Sequence, residues 1–335
     1  MTGPRQKLDI VTVVFRGELP LLVLQARSLA RFFDADAIGG IHVIVNDRAE
    51  ADCVRAVEAL RGEYGALAPL LRVVRPAELR DPTRRESAGQ RAERWVVNNV
   101  RGRLRNLLPQ RKRLASGWRG NSGWAMQQAF KLMSARVLSA PNVLILDAKN
   151  HFIGQAGAAN FIDEMGRPRS RAVAQVPMQG RWIEASFGCL GYPSPPSNRP
   201  VPPSVTPVVL GRRRLLGAVA AMEQKIGPLD LFFAHKRGET TEFMLLFAEI
   251  DKGQGLWAQE FGDGLPVSLT AFSSSDDAYL GELLQAARDG RSPLMGVHRR
   301  RITSTAEDLR SALFGFWQDR GLIRDAAEAR ALFNV

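Results

Sequence analysis

Apolar and polar positions fall in blocks along the chain, and the blocks predict the element order. Leu8-Asp9-Ile10-Val11-Thr12-Val13-Val14-Phe15 is a nearly continuous β-branched and aromatic run between a polar lead-in and Arg16-Gly17, the pattern of a buried strand. Glu18–Phe33 then spaces Leu22, Leu29 and Phe33 among polar Gln25, Arg27 and Arg31, which predicts a helix. Ile41-His-Val-Ile-Val45 reads as the second strand, with Asn46-Asp47 placed to cap a helix through about Arg61, and Leu70–Val74 as the third strand. A β-α-β-α-β opening implies an α/β fold with a mostly parallel sheet, right-handed crossovers and ligands at the carboxyl ends of the strands. Asn46, Asp47 and Arg75 stand at such ends.

Further along, Glu86–Leu108 reads as helical and Pro109–Asn121 as a loop. Ser122 can cap a helix through about Ser139, with Met126, Phe130, Met133 and Val137 as its apolar stripe and Trp124, Gln127, Gln128 and Lys131 on other faces. Pro141-Asn142 ends that helix, and Val143-Leu-Ile-Leu146 enters a strand that runs into Asp147-Ala148-Lys149-Asn150. The Pro- and Ser-rich stretch Gly191–Pro207 reads as a loop or site rim. After it come Val208–Leu210, a helix from Arg212 to Lys225, and a helix or turn at Thr240–Ile250. Helices around Asp276–Ala287, Thr305–Trp317 and Ala326–Phe333 close the chain, with the short apolar segment Leu294–Val297 ahead of His298.

Composition narrows the class. With 335 residues, 45% hydrophobic and 24% charged, the chain suits one large α/β domain or two smaller units and not a disordered or fibrous protein. No uninterrupted apolar run approaches the roughly 20 residues of a membrane-spanning helix, and residues 8–15 are too short for a secretory signal, so a cytoplasmic location is expected. Cys53 and Cys189 support neither a disulfide framework nor a zinc knuckle. The net charge of +12 predicts attraction to phosphates, anionic glycans or an anionic membrane surface. Much of it is arginine, in clusters at Arg101–Arg105, Arg111–Arg113, Arg212–Arg214 and Arg299–Arg301. No nucleic-acid-binding signature accompanies them. The first strand lacks Gly-x-Gly-x-x-Gly, and the chain lacks both a P-loop and Gly-x-Ser-x-Gly, which argues against a standard dinucleotide enzyme, a P-loop NTPase or a serine hydrolase.

The hydrophobic strand ending in Asp147-Ala-Lys149-Asn150 resembles the donor site of GT-A glycosyltransferases, where a strand typically ends in Asp-x-Asp. Gly123-Trp124-Ala-Met-Gln127-Gln128-Ala-Phe-Lys131-Leu132, the block Val143 to Phe152, Val205-Thr206-Pro207, Thr241-Glu242-Phe243 and Val297-His298-Arg299 resemble, in the same order, an uncharacterised bacterial family of GT-A-like glycosyltransferase-type proteins. The resemblance covers nearly the whole chain. It implies a GT-A-like, Rossmann-like α/β fold with a nucleotide-sugar-binding half at residues 1–150 and an acceptor-binding half with C-terminal helices at 151–335. It also implies transfer of sugar from a nucleotide-sugar donor to a glycan or lipid-linked acceptor in surface polysaccharide synthesis. Asp47, Trp124, Gln127, Gln128, Lys131, Asp147 and Asn150 are then candidate donor contacts, with Lys149 and Glu242 candidate catalytic groups.

Lys149 departs from the family pattern, because a protonated ammonium cannot bind Mg2+ or Mn2+. Either Asp147, with His298, holds a metal, or Lys149 itself supplies positive charge to the leaving diphosphate and no metal is needed. Blander readings stand beside these: Asp147 as a loop cap, Glu242 as a helix cap, His298 as a structural histidine, and Gln127, Gln128 and Lys131 as an exposed helix face. Trp118 and Trp124 bracket a Gly-rich loop that suits either stacking on a sugar or base or simple anchoring. Two rival functions are a catalytically inactive binding protein on the same scaffold and, with less support, a basic nucleic-acid binder.

Overall fold

The computed structural model describes residues 6–101, 117–235 and 239–335. Strands β1 (Leu8–Val14), β2 (Ile38–Val45), β3 (Leu71–Val74) and β4 (Asn142–Asp147) are parallel. A short β5 (Asn150–Phe152) follows, and β6 (Val208–Gly211) adds antiparallel to β4, so the main sheet has the order β3-β2-β1-β4-β6. β7 (Leu269–Ala271) and β8 (Leu294–Val297) join β5 in a second, three-stranded sheet of order β5-β8-β7. The fold is therefore mixed α/β with a mostly parallel central sheet, as the strand pattern predicts.

Helices cover both faces. In chain order they are α1 (Leu19–Phe32), α2 (Glu50–Ala59), α3 (Ala88–Trp95), α4 (Gly123–Met133), α5 (Pro177–Leu190) and α6 (Arg212–Ile226). They continue as α7 (Leu229–His235), α8 (Glu242–Asp251), α9 (Trp257–Glu260), α10 (Asp277–Arg288), α11 (Arg299–Ser304), α12 (Glu307–Asp319) and α13 (Ala326–Phe333). Because strand side chains alternate, Leu144 and Leu146 join a core with α1, α2, α10, α12 and α13, while Val143 and Ile145 join one with α4 to α8. Each such fully buried aliphatic side chain contributes about 1.5–3 kcal/mol.

Several local expectations are corrected. Asn46 and Asp47 do not cap the helix after β2, which starts later, at Glu50, and has no side-chain cap. Asp47 instead accepts from the Ala49 N–H at 2.8 Å and the Arg16 N–H at 2.9 Å, while Asn46 accepts from Trp118 N at 3.0 Å and donates to Gly123 O at 2.7 Å. Ser122 does cap α4, accepting from Ala125 N at 3.4 Å, but the α-helix stops at Met133 and tightens into a 3-10 turn over Ser134–Arg136. The helix expected over Glu86–Leu108 is α3 and a π-helical turn, Val96–Arg101. Its remainder, the basic residues from Arg103 to Arg113 and the loop from Pro109 to residue 116 lie outside the described residues. Trp118 is a core anchor: it is buried, donates from Nε1 to Glu50 at 2.7 Å and packs edge-on against Phe130. Gly117 permits this close packing, since a Cβ there would sit 2.4 Å from Asn46 Oδ1.

Candidate functional site

The strand order places the site. From β1 the chain builds β2 and β3 on one side, then crosses to β4 on the other, so the carboxyl ends of β1 and β4 form a topological switch point, where open α/β sheets bind ligands. A cavity of about 590 Å³ opens there. Glu18 reaches it from the 3-10 turn Arg16–Glu18 after β1, and Asp147 from the last position of β4.

A ladder of opposite charges forms the cavity floor. Lys131, buried on α4, places Nζ 2.7 Å from Asp147 Oδ1 and 2.9 Å from Glu242 Oε1, with the Phe243 ring centroid 5.1 Å away. Lys149 pairs with the other Asp147 oxygen. Gln127 donates to Asp147 Oδ1 at 3.4 Å. The Thr206 hydroxyl lies 3.0 Å from Asp147 Oδ2 and 2.7 Å from Asn150 Oδ1, with one proton to give. Glu242 occupies the first position of α8 and spends its carboxylate on Lys131, which separates it from the role of a helix cap.

Burial and charge drive these groups apart. Burial penalises the Asp147 carboxylate, but Lys131 and Lys149 outweigh it and hold Asp147 far below the usual carboxylate range. Burial likewise opposes the Lys131 ammonium, and Asp147 and Glu242 overcome it, raising Lys131 above an ordinary lysine. Glu18 goes the other way: burial first and the Asp147 charge second push it up to about 7, against the pull of Lys149 and Lys131. Two carboxyl groups in one cavity with opposed proton affinities are the arrangement that proton-transfer sites use.

A buried frame holds the floor in place. Gln25, on α1, donates from Nε2 to the carbonyls of Asp147 and Asn150, both at 2.9 Å, and accepts from the Thr12 hydroxyl at 2.8 Å. The Asn150 side chain accepts from Asp147 N at 2.8 Å and donates to Ser268 at 3.1 Å. His151 accepts at Nε2 from the Trp317 indole at 3.0 Å, which leaves Nδ1 to donate to Lys149 O at 3.1 Å. Arg299 donates to the Gly17 carbonyl at 2.7 Å, steadying the turn that carries Glu18.

Trp124, Gln127, Gln128, Lys131, Asp147, Lys149, Glu242 and His298 all line this one cavity. Asp47 and Asn150 do not: Asp47 braces the turn after β2, and Asn150 is fully buried behind the floor. Sequence reasoning missed Glu18, Gln179, Trp182, Thr206 and Thr241 as lining residues. Thr206 and Thr241 lie inside the blocks that carry the family resemblance, and Glu18 is an acid just beyond the first strand. Gln128 Oε1 and Thr241 Oγ1 are buried with no partner among the described residues, and both residues face the cavity, so each can accept or offer a hydrogen bond to a ligand hydroxyl.

The donor set does not fit a divalent cation. Both Asp147 oxygens are engaged by ammonium groups. His298 accepts the Arg300 N–H at Nδ1 (3.2 Å), so its neutral ring carries the proton at Nε2. Burial, Lys149 and Arg300 all lower its proton affinity. Among the described residues no three His, Cys, Asp or Glu side chains gather as a metal site.

No family model matches the chain, and no curated protein matches it. Among solved structures, the apo form of mouse xyloside xylosyltransferase 1 is similar at 13% identity and a TM-score of 0.39, over 87% of this chain and 97% of that one. The apo-form glycosyltransferase GlyE of Streptococcus pneumoniae TIGR4 is similar at 11% identity and a TM-score of 0.40, over 98% of this chain and 62% of that one. An active-site mutant of LgtC is similar at 13% identity and a TM-score of 0.31, over 70% and 72%.

Proposed function

We propose that the protein transfers a sugar from a nucleotide-sugar donor to a hydroxyl acceptor without a metal ion, in surface polysaccharide assembly as the sequence resemblance implies. The observation that carries this reading is the Glu18–Asp147–Lys149–Lys131–Glu242 cluster in the cavity at the switch point. Transfer breaks the bond between the anomeric carbon and the phosphate oxygen, and the diphosphate leaves with the electron pair. Lys149 supplies the point charge that the leaving group needs. The acceptor hydroxyl gives its proton to a carboxylate as its oxygen bonds to the anomeric carbon. Glu242 is the base expected from sequence, but its carboxylate is already engaged by the Lys131 ammonium. Glu18, poised near neutrality, is better matched to taking a proton at physiological pH. Gln128 and Thr241 supply unspent polar atoms for sugar hydroxyls.

A panel of nucleotide sugars tested by thermal shift and by isothermal titration, with and without EDTA, checks the proposal. Stabilisation by at least one donor that survives EDTA is expected, and no response to any donor sinks it. One feature favours a second reading, a binding protein without turnover: Lys131 and Lys149 are already neutralised by Asp147 and Glu242. Release of free nucleotide from the bound donor, measured with a mixture of acceptors, separates the two. Among the described residues no helix is long and apolar enough to cross a membrane, and the net charge of +12 supports peripheral contact with an anionic surface.

A further inference from the structure

The mouth of the cavity differs in character from its charged floor. Trp124, Val176, Met178, Val205 and Phe272 line it and remain 39% to 53% exposed. Val205, Thr206 and Phe272 also wall a second hollow of about 200 Å³, an annex whose other sides include Pro203, Pro266, Val267 and Tyr279. Of the ten large hydrophobic side chains exposed among the described residues, five stand at the mouth and two more, Val267 and Tyr279, in the annex. So many exposed apolar groups on two connected cavities mark a surface that a ligand covers.

The side-chain types identify that ligand. The annex also holds Arg171 and the hydroxyls of Thr206, Ser268 and Thr270, but those hydroxyls are already bonded within the protein, and Val176, Met178, Val205, Val267 and the two prolines offer a sugar neither a hydrogen bond nor a flat face. Branched aliphatic walls match a hydrocarbon chain. We propose that the acceptor is an amphiphile whose hydroxyl head enters the main cavity while its hydrocarbon chain crosses Val205 and lies in the annex. This rests on the transfer reading above and narrows its acceptor to one bearing an apolar chain.

Alkyl β-glucosides with chains of four to twelve carbons, each kept below its micelle-forming concentration, test the idea on the full chain by isothermal titration. Affinity should rise about fourfold per methylene, the factor that burying one CH₂ gives. The rise should stop once the chain outgrows the annex, so the longest glucosides should bind no more tightly than those of intermediate length. Val267→Asp, at an exposed position of the annex wall, should weaken long-chain binding more than tenfold and leave short chains unchanged. Trp95→Asp, at an exposed hydrophobe outside both cavities, should change nothing.

Chain-length-independent binding, wild-type behaviour of Val267→Asp, or an equal loss in Trp95→Asp would overturn the proposal. So would binding to anionic lipid vesicles without any chain-length-dependent binding of the glucosides, which would make the rim a membrane-facing surface. Nucleotide-sugar titrations keep the two readings apart. Donor binding without chain dependence removes the annex alone, whereas chain dependence without donor binding removes the transfer reading alone.

Discussion

Glu18, in the turn after β1, and Asp147, at the end of the neighbouring parallel strand β4, line one cavity, yet one holds its proton near neutrality and the other gives it up well below the carboxylate range. The difference comes from partners. Asp147 has an ammonium on each oxygen, while Glu18 faces the resulting carboxylate across the cavity. Whatever anionic ligand enters must meet Glu18 in a form that pH decides.

Lys131 is the keystone of the floor, and its removal should be costly. Lys131→Met leaves Asp147 and Glu242 without their shared buried counter-charge and should destabilise the protein by about 3–5 kcal/mol in urea denaturation. Adding Glu242→Gln to Lys131→Met should recover part of that loss, because one of the two stranded charges is gone. A loss below about 1 kcal/mol in the single variant would mean that water reaches the ladder freely.

Lys149 is predicted to act on ligand and not on fold. Lys149→Ala should weaken donor binding by about 1.5–3 kcal/mol, the range of a charge-assisted hydrogen bond, with EDTA changing neither variant nor wild type. Lys149→Asp should be worse, since it sets a second carboxylate beside Asp147 and the diphosphate. Isothermal titration decides the matter: binding that vanishes in EDTA and returns with Mn2+ refutes the metal-free site.

How much of this was legible in the sequence depends on the range over which each feature is determined. β1, β2 and β4 are continuous apolar runs whose burial on both faces is written locally, and Asp147 is visible because it interrupts such a run. β5 and β7, three residues each, are too short for any period to show. Lys131 and Glu242 are 111 residues apart, so each could be suspected but their shared contact with Asp147 could not be derived. Trp118 and Trp124 look alike in their Gly-rich loop, and only distant partners, Asn46, Glu50 and Phe130, make one an anchor and leave the other at the cavity mouth. Glu18 was hidden in plain sight: an acid ahead of a helix is ordinary until the strand order reveals that it stands at the switch point.

Glu18 sets a stability signature at neutral pH. Its folded-state pKa, near 7, lies above the 4.5 of an ordinary glutamate, so the folded protein binds this proton more tightly and the associated stability is lost as pH rises from about 4.5 through 7. Glu18→Gln, which mimics the protonated form, should match wild type at pH 4.5 and exceed it at pH 8. The full shift corresponds to about 3 kcal/mol, and solvent access at the cavity wall reduces the expected gain to roughly 1–2 kcal/mol. Urea melts of the two proteins that stay parallel across this range would contradict the assignment.

His151 should produce the opposite slope. Burial lowers it to about 4, below the 6.5 of an ordinary histidine, and its neutral ring bridges Trp317 to the Lys149 carbonyl. The folded protein therefore resists this proton, and the stability is present above pH 6.5 and lost as pH falls towards 4, by about 3 kcal/mol in all. Between pH 4.5 and 6.5 the Glu18 and His151 contributions run against each other, so wild type should be nearly flat with respect to this pair and single variants should unmask each limb. Glu18→Gln should lose stability more steeply than wild type on acidification, whereas His151→Gln, less stable at pH 7 for want of the imidazole bridge, should lose less between pH 6.5 and 4.5. If His151→Gln acidifies with the same slope as wild type, the imidazole is not held neutral by burial, and the Trp317–His151–Lys149 connection does not hold the cavity floor as described.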